Sequence, residues 1–412
     1  MKILLASDKF RGSMSATQAC QAMADGVRLA DASFELCEVP LADGGEGTLE
    51  ILTEATSGTK HSLPVHDPLG RPIRAEFGLS GDGQTAFVEL ASASGLHHLA
   101  PTERNALRAN TFGTGELLRA ALTAGATRII LGVGGSASTD GGTGMAAALG
   151  YRFLDKNGSE LYPCGETLSQ IDRIDDSAVA YDFTKIRINV ACDVTVPLFG
   201  PTGAGHVYAP QKGATPEQVE ILDAGLRHLA EAASELAPKF TPNPLKGAFQ
   251  PERFSDGKAP FRGLGVNLGA NISDIPGAGA AGGTGFGAMV FLNASLRSGI
   301  DLVMELTRFD EALDGADLVI TGEGKLDAQT LQGKLIAGIC QRAGARGIPV
   351  VALCGTLDAD PLALRELGLT YAASILPRPM TLEEALREGP ELLKNAAFFV
   401  VNLFSAARFV KR

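Results

Sequence analysis

Several familiar chemical signatures are missing from this 412-residue sequence. Its six cysteines (20, 37, 164, 192, 340 and 354) form no Cys-x-x-Cys pair, so the spacings typical of zinc and redox sites are absent. Reduced, mostly buried thiols are the expectation. The six histidines show no His-Glu-x-x-His spacing, and no Gly-x-Ser-x-Gly elbow is available for a serine triad. A Walker loop is absent too, because Gly333-Lys334 has Ala328 five positions before the glycine and no Ser or Thr after the lysine. Basic residues are outnumbered, with 36 Lys and Arg against 47 Asp and Glu for a net charge of −11, and they form no run. Nucleic acid and anionic membrane surfaces are therefore excluded as partners. The longest late apolar stretch, Ala396–Phe404, is broken by Asn402 and falls far short of the ~20 residues that a membrane helix needs. It is expected to form a buried C-terminal helix. The opening Met1-Lys-Ile-Leu-Leu-Ala-Ser-Asp8 is too short an apolar run for a signal peptide, which points to the cytoplasm.

Glycine, by contrast, is abundant: 50 residues, where ~7 % usage would supply about 29. No Gly-X-Y period exists, and the glycines sit among Val, Ile, Leu and Ala, so they punctuate a globular fold. The length suggests two or three domains. Short β-branched runs alternate with Ala/Leu-rich helical stretches: Ile3–Ala6 then Ser15–Ala30, Arg128–Val133 then Gly144–Leu149, and Leu318–Thr321 then Ala328–Ala343, with Val350–Leu353 beyond. That alternation implies an α/β fold with a mainly parallel sheet. Ser15-Ala-Thr-Gln18 fits a capping box, in which the serine hydroxyl satisfies an orphan N–H at the start of the first helix. Residues 237–265 hold five prolines (238, 242, 244, 251 and 260) and no helical or strand period, so they read as a long loop or insertion outside the chemistry.

Three glycine clusters carry charged or hydroxyl neighbours: Asp43-Gly-Gly-Glu46-Gly47, Gly134-Gly-Ser136 followed by Asp140-Gly-Gly, and Thr321-Gly-Glu323-Gly-Lys325-Leu-Asp327. Loops of this kind let backbone N–H groups approach a phosphate while carboxylates stand ready for a metal. Each taken alone could equally be a turn. A competing reading comes from Gly132-x-Gly134-x-x-Ala137, which follows a strand and has Asp155 18 residues beyond Ala137, as an NAD-dependent oxidoreductase would. Against it, the dinucleotide fingerprint needs a helix to begin directly on the pyrophosphate, whereas Ser136–Gly144 is a run of poor helix formers. A non-catalytic nucleotide-binding module is the other alternative. Gly277-x-Gly279-x-x-Gly282 lacks a preceding strand and is weaker still.

Taken in order, the motifs resemble the type II bacterial glycerate kinases. Ser7-Asp-Lys-Phe-Arg-Gly-Ser13 is similar to that family's P-D-S-F-K-G-S, and Ala42-Asp-Gly-Gly-Glu-Gly-Thr48 matches its A-D-G-G-E-G-T. Gly132-Val-Gly-Gly-Ser-Ala-Ser-Thr-Asp-Gly-Gly142, Ala191-Cys-Asp-Val194, Pro210-Gln-Lys-Gly-Ala214, Pro276–Gly283 and Thr321–Thr330 continue the series. Lys9 stands where the family has Ser, Arg11 where it has Lys, and Lys325 where Arg is common, while Ala328 offers no hydroxyl. The resemblance implies ATP- and Mg²⁺-dependent phosphorylation of D-glycerate, tilted towards the 2-position. It also implies two α/β domains with the active site in the cleft between them. The first is a Rossmann-like parallel-sheet domain of residues 1–75 and 295–412, and the second is an inserted α/β domain of residues 76–294.

Under this reading the nucleotide phosphates would meet Gly134, Gly135, Ser136, Gly279, Gly282 and Gly283, with Lys212 and Lys325 as cations. Mg²⁺ would draw on Asp193, Glu323 and Asp327. The glycerate anion would meet Lys9, Arg11, Ser13 and Glu46, and Asp43, Asp140 and Asp193 are the candidate catalytic carboxylates. Structural roles compete with several of these: an ion pair for Lys9, Lys212, Lys325 or Arg11, a helix N-cap for Asp327, a favourable helix-start charge for Glu46 and a turn for Ser13. Self-association is left open.

Overall fold

The computed structural model describes residues 1–236, 272–327 and 335–409, so the proline-rich segment 237–265 and the stretch Ala328–Lys334 lie outside the described residues. In chain order the described strands are β1 (Lys2–Leu5), β2 (Glu35–Glu38), β3 (Thr59–His66), β4 (Pro72–Leu79), β5 (Thr85–Glu89), β6 (Arg128–Gly132) and β7 (Arg152–Leu154). They continue with β8 (Arg173–Asp175), β9 (Arg187–Ala191), β10 (Ser295–Arg297), β11 (Leu318–Asp327), β12 (Val350–Asp358) and β13 (Leu369–Ser374). The chain divides into two compact units, one of Met1–His61, Phe77–Phe87 and Arg297–Arg412, the other of Ser62–Glu76 and Val88–Leu296.

The first unit is built on a parallel sheet in the order β13-β12-β11-β1-β2. Counted along the sheet's own strands this is the doubly wound order 2-1-3-4-5, in which the crossovers diverge between β1 and β11. β1 can be the near-continuous apolar run Ile-Leu-Leu because helices cover both faces of such a sheet. Helices Ala16–Ala30 and Leu382–Phe409 cover one face. There Met23, Val27, Leu393, Ala397 and Val401 pack on Ile3, Leu5, Ile320 and Leu353. Ser15 caps the first helix as its sequence predicts, accepting from Gln18 N at 3.2 Å while Gln18 Oε1 accepts from Ser15 N at 2.9 Å. The C-terminal helix is half-buried where a buried one is expected: Ala397 and Val401 face the core, but Phe399 is 68 % and Leu403 69 % exposed.

A second difference is larger. The expected loop Thr321–Asp327 is strand, because β12 runs on alongside β11 and supplies a partner from Val319↔Val350 to Asp327↔Asp358. Ladder pairing satisfies the backbone of a sequence whose glycines and charges otherwise read as a loop.

In the second unit β6 pairs in parallel with β9, from Arg128↔Arg187 to Gly132↔Ala191, and β7 pairs antiparallel with β8. Parallel pairing puts the loops that leave β6 and β9 at one edge. All six cysteines are free and five are buried. No helix among the described residues is long and apolar enough to cross a membrane.

Candidate active site

In the first unit the informative edge is the carboxyl end of β1 and β11, where doubly wound sheets bind their ligands. The chain leaving β1 rides on β11: Asp8 N donates to Gly322 O at 3.0 Å, and the buried Ser7 hydroxyl donates to the same carbonyl at 3.0 Å. Asp8 is thereby fixed at the divergence point of the sheet. Its Oδ1 accepts from Lys9 N at 2.7 Å. Burial and then the nearby Asp43 carboxylate push the Asp8 carboxyl up to about 6, although the Lys9 amide and the charges of Lys9 and Arg11 oppose the shift. Asp43 is exposed and accepts from Gly45 N at 3.1 Å, a contact that shapes its own glycine turn.

The predicted glycerate-binding residues are used unevenly. Lys9 Nζ donates to Glu46 Oε2 at 2.8 Å and to Glu46 O at 2.6 Å, so two expected substrate contacts hold each other and tie the two loops together. The Ser13 hydroxyl donates to Leu386 O at 2.7 Å and anchors its turn to the C-terminal helix. Arg11 is exposed and makes no ion pair among the described residues. Further along β11, Glu323 is half-buried, while Lys325 lies 3.0 Å from Asp327 and 3.7 Å from Asp358. These carboxylates, Asp327 foremost, raise the Lys325 pKa. Asp327 ends the described strand, and the Ala328–Lys334 stretch on which its N-cap reading depends lies outside the described residues.

The second unit assembles a different set. Loop 133–142 leaves β6, Asp193 follows β9, and the 277–283 glycines pack against both loops. Asp140 is fully buried; its Oδ2 accepts from Thr111 N at 2.8 Å, Thr111 Oγ1 at 2.7 Å and Gly144 N at 3.1 Å, and its Oδ1 from Gly142 N at 3.2 Å. Burial pushes its carboxyl up, while these donors stabilise the charge. A carboxylate so occupied organises the loop. Lys212, also buried, donates to Ser138 O and, at 3.2 Å, to Ser136 Oγ. Burial pulls its amine down to about 7, against the Asp140 charge. Its bonds hold the loop from beneath.

Gly279, Gly282 and Gly283, expected on a phosphate, are buried instead against backbone. A Cβ at Gly279 would lie 2.2 Å from Pro197 O, one at Gly282 2.2 Å from Ser138 O, and one at Gly283 2.9 Å from the Gly141 Cα. The bond from Gly141 N to Gly282 O at 3.0 Å closes the junction. Gly134 and Gly135 remain exposed beside buried Ser136, and Asp193 is exposed at the neighbouring strand end.

A glycerate kinase family model matches residues 3–405. The chain belongs to the glycerate kinase family. It is 41 % identical over 397 residues to the glycerate kinase of Bacillus subtilis, covering 96 % of each chain. With the glycerate 2-kinase of Escherichia coli it shares 39 % identity over 387 residues, 94 % of this chain and 93 % of that one. A crystal structure from Salmonella typhimurium LT2, assigned as a glycerate kinase 2, superimposes with a TM-score of 0.83 at 38 % identity over 99 % of both chains. As a member of the glycerate kinase family this enzyme is a phosphotransferase acting on a small molecule.

Within that family frame the oxidoreductase fingerprint at 132–137 loses its support. No helix opens on the glycine turn; the next one starts at Thr143, and Asp155 closes a tight turn by accepting from Asn157 N and Ser159 N, both at 2.8 Å. Mg²⁺ in nucleotide sites is usually held by one or two carboxylates together with phosphates and water. The exposed Asp193 and the half-buried Glu323 are donors of that kind, and among the described residues no group of three His, Cys, Asp or Glu forms a cage. Each carboxylate is, within its own unit, the kind of oxygen donor such an ion takes. Asp8 and Thr111 add to the residues that the sequence points to. Asp8 lies within Ser7–Ser13 beside the conspicuous cations Lys9 and Arg11, and Thr111 lies in Asn110-Thr-Phe-Gly-Thr-Gly115, a polar glycine cluster like the others.

Proposed function

We propose that this enzyme transfers the γ-phosphoryl group of ATP to the 2-hydroxyl of D-glycerate, with Mg²⁺, in the cytoplasm. The observation that carries this reading is the family match over residues 3–405, which takes in every glycine cluster described above. The glycerate 2-kinase relative at 39 % identity favours the 2-position. Phosphoryl transfer asks the protein for positioning and charge more than for covalent chemistry. The exposed amides of Gly134 and Gly135 offer the nucleotide phosphates hydrogen-bond donors on a loop stiffened by Lys212 and Asp140. Asp193 in the second unit and Glu323 in the first are each a carboxylate suited to Mg²⁺, which when bound neutralises charge on the phosphate oxygens. Arg11, exposed and outside any ion pair among the described residues, suits a bidentate grip on the glycerate carboxylate. Lys9 and Glu46 hold the loop from which Arg11 projects.

The test is direct. Purified enzyme given ATP, Mg²⁺ and D-glycerate should release ADP only when all are present, and phosphorus NMR should identify 2-phosphoglycerate. A 3-phosphoglycerate signal would reverse the regiochemistry, and ADP release indifferent to glycerate would end the glycerate reading.

A further inference from the structure

Among the carboxylates near the first unit's glycine loops, Asp8 differs in what its oxygens do. Asp43 is exposed and takes its own turn's amide at Gly45. Asp327 is held by Lys325. Asp8 is half-buried, its backbone is pinned to Gly322 O, and only its Oδ1 has a donor, Lys9 N at 2.7 Å. Its second oxygen makes no hydrogen bond among the described residues. It stands at the carboxyl end of β1 beside β11, the divergence point of the sheet where ligands of this architecture bind.

We propose that Asp8 accepts the proton of the glycerate hydroxyl as that oxygen attacks the γ-phosphorus. The inference rests on the phosphotransfer reading above. In the step, the hydroxyl O–H bond breaks towards the free Asp8 oxygen, a new O–P bond forms, and the bond from the γ-phosphorus to the bridging oxygen breaks, leaving ADP with that electron pair. The same carboxyl then gives the proton to solvent. A base works best when its proton affinity lies near the working pH, and burial with the Asp43 charge lifts Asp8 to about 6. The groups that act on it are consistent with this: Lys9 and Arg11 on its own loop lower its affinity, and Asp43 on the 39–47 loop raises it. Lys9 is restrained from neutralising Asp8 by its ion pair with Glu46.

The experiment compares wild type, Asp8→Asn and Asp8→Glu in the full chain. Asp8→Asn should lose at least ~100-fold in kcat, the lower end for general-base catalysis, while calorimetric affinities for D-glycerate and for ATP with Mg²⁺ stay within a few-fold. Asp8→Glu should recover part of the rate, with the acidic limb of its kcat/KM profile displaced from the wild-type limb near pH 6. Folding is checked independently, because removing an unfavourable buried charge should raise the melting temperature of Asp8→Asn at pH 8 and not at pH 4. Turnover within tenfold of wild type in Asp8→Asn, or an unshifted limb in Asp8→Glu, overturns the assignment while leaving the glycerate reading intact. A wild-type enzyme that ignores glycerate overturns both.

Discussion

Replacing Gly282 by alanine isolates what one glycine contributes to the second unit. The residue has φ +67°, and an added Cβ would sit 2.2 Å from Ser138 O and 2.7 Å from the Thr139 Cα. Two costs arise. The left-handed backbone costs any other residue about 1 kcal/mol. The clash is with backbone, so no rotamer relieves it, and overpacking of this kind adds about 2 kcal/mol. Gly125 separates the two costs, since it lies in the same unit with φ +98° and nothing within 4 Å of its Cβ. Gly125→Ala should therefore lose only about 1 kcal/mol, and Gly282→Ala about 3 kcal/mol. For a unit of this size ~1 kcal/mol moves the melting temperature by roughly 2–4 °C, so calorimetry should show drops of about 2–4 °C and 6–12 °C. Turnover adds a second axis. Pushing Ser138 away disturbs the Lys212 and Gly141 bonds of the loop, so Gly282→Ala should be at least about tenfold slower below its transition, while Gly125→Ala keeps wild-type rates. Equal melting shifts in the two variants would refute the argument that backbone contact fixes this glycine.

Lys212 should make stability depend on pH in an unusual direction. Its amine falls to about 7 in the fold but titrates near ~10.4 unfolded, so between about pH 7 and 10 the unfolded chain holds the extra proton and stability rises with pH. Melting curves of wild type and Lys212→Met should diverge across that window, and parallel curves would show that the folded amine keeps its proton throughout it. Asp140→Asn turns an NH₂ towards one of the glycine amides that now donate to the carboxylate, leaving buried donors unpaired at about 1–3 kcal/mol, read as a lower denaturant midpoint. An unchanged midpoint would mean that the loop re-pairs without it. A double-mutant cycle on Lys9 and Glu46 should give coupling below ~1 kcal/mol, because Glu46 is 73 % exposed. A KM for glycerate that rises far more in Lys9→Met than in Glu46→Gln would return Lys9 to direct substrate contact.

Much of the first unit was legible in the sequence because its signals are local: β1 is an apolar run, and the Ser15 box sets the start of the helix that follows. The strand nature of Thr321–Asp327 was not, because it depends on β12 lying alongside, and pairing across chain segments overrides the turn preference of Gly322 and Gly324. The same distinction governs the site. Glycine clusters identify where backbone comes close to something but not what that something is; Gly134 and Gly135 face outward, whereas Gly279, Gly282 and Gly283 meet other backbone. Charge patterns have a like ambiguity: Lys9 and Glu46 are separated by 37 positions, and only folding shows that each is the other's partner. Asp8 is the converse case. Its residue type is unremarkable beside Lys9 and Arg11, and its distinction comes from one hydrogen bond to Gly322 and the burial that follows from it. A carboxylate acquires an altered proton affinity from its surroundings, so its chemistry becomes visible only once β1 and β11 are seen side by side.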